Sequence, residues 1–64
     1  MGAISKKEFT SKMGVSLKEA RESKYWLRLL DRSQLVKYSY NKELKEIEEI
    51  VNILTAIVKT SQGN

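Results

Sequence analysis

The chain has 64 residues, 41% of them hydrophobic, and 12 Lys plus Arg against 8 Asp plus Glu give a formal charge of +4. It contains no cysteine, histidine or proline, which excludes a disulfide framework, a thiolate metal site and the usual general base near neutral pH. The length supports one small domain. A core of fewer than about 70 residues rarely supplies more than about 3–5 kcal/mol without a staple, so association is the remaining route to stability.

The first predicted element is a helix over about residues 6–32. Ser5 followed by Glu8 is a capping-box arrangement, and Ile4 with Phe9 suits a hydrophobic staple. Phe9, Met13, Ser16, Ala20, Ser23, Leu27 and Leu30 then alternate steps of four and three, which is one heptad seam with small residues in its middle. Gly14 sits inside this helix and weakens it by up to about 1 kcal/mol relative to alanine. Periodicity lapses over Ser33 to Tyr38, the expected joint.

The second predicted helix covers about residues 40–60. Tyr40, Leu44, Ile47, Val51, Leu54 and Val58 form its seam, Asn41 or Ser39 caps its start, and Lys59 suits the dipole at its end. The terminal "SQGN" is expected to fray. Glu46, Glu48 and Glu49 are expected to pair with Lys42 and Lys45 or to stay solvated. The densest apolar run, "IVNILTAIV" (50–58), is far short of the roughly 18 residues of a membrane span. "MGAISKKEF" lacks the apolar stretch of a secretory signal, so a cytoplasmic, non-membrane protein is expected.

Together these elements define an all-α chain whose single domain, residues 1–64, is an antiparallel helical hairpin. Each helix has more apolar surface than one neighbour can cover. Trp26, Leu29 and Val15 lie beside the first seam, and Ile50, Ile53 and Ile57 widen the second to an arc of about 180°. Trp26, Leu29, Ile50, Ile53 and Ile57 are therefore the expected self-association residues, and pairing of two hairpins into a homodimeric four-helix bundle is the expected assembly.

Charge is unevenly placed. Residues 1–37 carry nine basic and four acidic groups, and residues 38–64 carry three and four. Lys18, Arg21, Tyr25, Arg28 and Arg32 follow one another at helical spacing and form a basic stripe nearly opposite the first seam. Cations at that spacing can track phosphates, and Tyr25 can stack on a base, so the stripe is the candidate RNA or DNA surface; the competing reading is a plain solvated face. The carboxylates show no Glu-x-x-His pattern of a di-metal bundle. No catalytic, cofactor or metal residues are assigned, and the expectation is a protein that is not an enzyme. The alternative to nucleic-acid binding is a structural interaction module.

"SKKEF" with "LKEARESKYWLRLL", followed by "LKEIEEIVNILTAIVKT", resembles the C-terminal half of the four-helix-bundle proteins encoded in intervening sequences of bacterial 23S ribosomal RNA genes. The most specific parts are Ser5, Lys7, Glu8 and Phe9, then Glu19, Ala20, Tyr25, Trp26 and Leu27, then "ILTAIVKT". The resemblance implies an up-and-down bundle whose third and fourth helices correspond to this hairpin. It also implies similarity to an accessory protein of diversity-generating retroelements, ring-like pentamers with basic surfaces, no enzymatic activity, and nucleic-acid binding. The family's first two helices, with their "Ser-Ile-Pro-Ser-Asn-Ile-Ala-Glu-Gly" type of connection, have no counterpart here. A second copy in their place, giving a dimer, is the expected substitute for the pentameric ring.

Overall fold

The computed structural model describes residues 4–63. It holds two helices, α1 (Lys6–Ser33) and α2 (Asn41–Gln62), and no strand among the described residues. They run antiparallel as a hairpin of 47 × 22 × 15 Å. The meeting of the Thr10 and Ser61 hydroxyls at one end, and the Lys24–Glu48 ion pair of 4.0 Å further along, fix the register. The acidic cluster of α2 therefore reaches across to α1 through Glu48, whose partner is Lys24 and not the expected Lys42 or Lys45.

α1 starts where the capping residues place it. The Glu8 N–H donates to Ser5 Oγ at 3.1 Å, and the Ser5 hydroxyl donates to Glu8 Oε1 at 3.3 Å. This satisfies one of the free N–H groups of the first turn, a contribution of about 1 kcal/mol. The staple partners Ile4 and Phe9 both stay exposed. Gly14 has open space where a Cβ would stand, so packing does not require the glycine. α1 ends at Gln34, whose backbone is left-handed (φ 52°, ψ 28°). That reverses the chain without glycine or proline.

Residues 34–40 form the connection. Within it the Tyr38 N–H donates to the Val36 carbonyl at 2.9 Å, and the rings of Tyr38 and Tyr40 meet edge to face at 4.8 Å. α2 has Tyr40 at its N-cap, with no side-chain cap bond. Ser39 Oγ instead accepts a long bond of 3.5 Å from the Asn41 N–H, so the capping expected of Asn41 is not made. At the far end the expected fraying is not seen at Ser61 and Gln62, which are helical; Asn64 lies outside the described residues. Since the Thr10 hydroxyl proton goes to the Lys6 carbonyl at 2.9 Å, Ser61 is the donor to Thr10. That contact holds the last turn of α2 against α1.

The seam of α2 is the expected one: Tyr40, Leu44, Ile47, Val51, Leu54 and Val58 are all at least partly covered. The seam of α1 differs. The covered residues are Thr10, Met13, Gly14, Ser16, Leu17, Ala20, Lys24, Leu27 and Asp31, whereas Phe9, Ser23 and Leu30 are exposed. The two readings share Met13, Ser16, Ala20 and Leu27 and differ by a small rotation of the helix. The observed one places Leu17 inside, a larger apolar side chain than Ser16, and lays the Lys24 stem along the contact while its ammonium reaches Glu48. Leu17 and Ala20, at 7% and 8% exposure, are the buried core, and no side chain is fully enclosed.

Candidate nucleic-acid interface and apolar face

Rotation of α1 changes what surrounds the basic stripe. At about 100° per residue, Lys18, Arg21, Tyr25, Arg28 and Arg32 lie on a flank of the hairpin contact. They are not opposite it. The position opposite the contact belongs to Val15 and Trp26, with Leu29 close by. All five stripe residues are exposed. Among the described residues none of their cations is paired with a carboxylate; the ion pair present is Lys24–Glu48. Tyr25, Arg28 and Arg32 come together around a shallow notch of about 210 Å³ whose floor is Leu29. A phenol ring, two guanidinium groups and an apolar floor can hold a flat ring beside a phosphate. Lys18 and Arg21 lie one to two turns toward the N-terminus, outside this notch.

The expected self-association residues divide between two surfaces. Trp26 is 60% exposed on the outer side of α1, its ring edge to face with Tyr25 at 5.3 Å, and Leu29 belongs to the notch beside it. Ile50 and Ile53 are 47% and 59% exposed and lie with the half-covered Ile57 on one side of α2. A groove of about 460 Å³ lined by Lys6, Phe9, Ala56, Ile57, Thr60 and Ser61 shows that this side is continuous with the Phe9 side of α1. By helical spacing Ser16, Ser23 and Leu30 follow Phe9 on α1. The hairpin thus has one apolar broad face and one polar broad face, with the basic stripe beside the polar one. Sequence reasoning identified the apolar residues but not the face they share, because that depends on how α1 is rotated against α2.

A polar cluster at the connection was not anticipated. The Tyr38 hydroxyl donates to Glu43 Oε2 at 2.7 Å. This bond, followed by Glu43's own backbone N–H in the first turn of α2, holds the Glu43 carboxyl below its ordinary 4.5. The same bond, then the carboxylate charge, raises the Tyr38 hydroxyl above 10.0. Glu43 Oε1 is shut off from water without a hydrogen-bond partner. Tyr38 and Glu43 are five residues apart across a helix start, a spacing that no common motif marks.

Among the described residues no group of three or more Asp, Glu, His or Cys could hold a metal ion, and no helix is long and apolar enough to cross a membrane. Comparisons with protein-family models, with curated proteins and with solved structures found no match to this chain.

Proposed function

We propose that this chain is a non-enzymatic helical module of the cytoplasm that binds RNA or DNA through Lys18, Arg21, Tyr25, Arg28 and Arg32. The observation that carries the reading is a row of exposed cations with no carboxylate partner among the described residues, two of which, Arg28 and Arg32, surround one notch with Tyr25. Bland outer faces of helical proteins commonly intersperse both signs; here the flank is basic with an aromatic ring set into it. The resemblance to the intervening-sequence bundle proteins supports the same reading.

The test is a salt series with single-stranded RNA. Binding falls linearly on a log–log plot with a slope near −0.7 per neutralised phosphate for single strands. Arg21→Gln with Arg28→Gln flattens that slope by about 1 to 2 while leaving the helical signal unchanged. Equal affinity of the double variant, or affinity no better than that of a random peptide of the same charge, overturns it.

A second reading is favoured by a different observation. The largest apolar side chains outside the seam are exposed, and the covered core is Leu17 and Ala20. This supports a structural module that self-associates, with the homodimeric four-helix bundle as the assembly proposed.

A further inference from the structure

The hairpin is too open for its mass. A folded monomer of 7.4 kDa has an accessible surface of about 4,200 Å², and this chain has 5378 Å². Its radius of gyration is 15.0 Å, against about 11 Å for a compact domain of this length. The surplus is about 1,200 Å² per chain. Hidden twice over, it amounts to about 2,400 Å², within the range of obligate homodimers and above that of transient contacts.

We infer that a second copy of this chain covers the broad face made by Phe9, Leu30, Ile50, Ile53 and Ile57, and that the Trp26 side of α1 stays outside the interface. The inference rests on the self-association reading and is independent of nucleic-acid binding. The shape of the face selects its occupant. Its α2 half is a ridge of isoleucines. Its α1 half is a furrow where Ser16 and Ser23 separate Phe9 from Leu30. The Ser16 hydroxyl already donates to the Lys12 carbonyl at 3.0 Å, so it asks for no polar partner across an interface. A two-fold axis running along the hairpin lays the ridge of each copy into the furrow of the other. The register set by Thr10–Ser61 and Lys24–Glu48 then brings Ser16 of one copy to a level between Ile53 and Ile57 of the other, nearer Ile57. Every neighbouring pair of helices is antiparallel in that arrangement, which opposes their dipoles favourably. The basic flank of each copy remains in water.

The experiment uses the full chain. Sedimentation equilibrium gives twice 7.4 kDa, and the thermal midpoint rises with protein over roughly a hundredfold range of concentration, as for a fold linked to association. Ile53→Lys lowers the mass to one chain with loss of helical signal, and Trp26→Lys keeps the dimer. Because Ile53→Lys removes fold and interface together, a milder pair accompanies it. Ser16→Cys chains mixed with Ile57→Cys chains and oxidised give the mixed disulfide in excess over either self-link. A wild-type chain of single mass overturns both this inference and the self-association reading. A dimer that withstands Ile53→Lys, is broken by Trp26→Lys, or forms no mixed disulfide overturns only the face assigned here.

Discussion

Tyr38 and Glu43 form a site whose protonation is coupled to the fold. Glu43 has its carboxyl lowered in the folded chain, so its contribution is complete above the ordinary 4.5 and is lost as pH falls through the lower folded value. Tyr38 is raised, so its contribution is complete below 10.0 and is lost as pH climbs through the higher folded value. Tyr38 is exposed and Glu43 only partly covered, which keeps the effect small. In Tyr38→Phe the Glu43 midpoint moves up toward 4.5, read by carbon NMR titration of the side-chain carboxyl; an unmoved midpoint assigns the lowering to the helix start alone. Of the residue-level features, the Ser5–Glu8 cap was legible because it depends on neighbours three apart in one helix. The Tyr38 contact was not, because it depends on the path of a connection whose shape comes from Gln34.

The elements themselves were legible to within a residue or two: helices expected over about 6–32 and 40–60 stand at Lys6–Ser33 and Asn41–Gln62. The seam of α2 was equally plain, since its alternation of Leu, Ile and Val admits one phase. α1 admits two. Met13, Ser16, Ala20 and Leu27 fit both, and the charge of Lys24 argues against the phase that the structure adopts, although only its stem is covered. The choice is made by fit against α2, which no reading of α1 alone contains. It has a measurable consequence. Leu17→Ala removes the larger of the two buried side chains and costs at least about 2 kcal/mol, enough to abolish cooperative melting in a chain with so small a core. Ser23→Ala, on the other phase, leaves the melting curve within about 0.5 kcal/mol of wild type. Circular dichroism on the two variants separates the phases directly, and the reverse order of effects would restore the Phe9–Leu30 seam.

At the scale of the molecule, hydrophobic surface is divided unequally. The inner seam is narrow and partly polar, with Thr10, Lys24, Asp31 and Ser61 among its covered residues, while Ile50, Ile53 and Trp26 face outward. Such a hairpin holds its two helices in register through its polar contacts and leaves most of the apolar gain to whatever lies against it. This links the nucleic-acid and assembly proposals. If two hairpins close through their apolar faces, each basic flank is carried on a rigid body, and the two flanks are related by symmetry. The composition pointed to surplus apolar surface; its sorting into a broad face and a separate Trp26 side required the register between the helices.

All of this geometry passes through Gln34. It is the non-glycine residue with a positive φ among those described, and an L-amino acid in that conformation costs about 1–2 kcal/mol. A chain of this size is within reach of total chemical synthesis, which permits a change the ribosome cannot make. D-glutamine at this position keeps the side chain and turns the disfavoured handedness into the preferred one. The synthetic protein is expected to melt at a higher temperature than its all-L counterpart, with the same helix content; a lower melting temperature would mean that the reversal is made elsewhere in the connection.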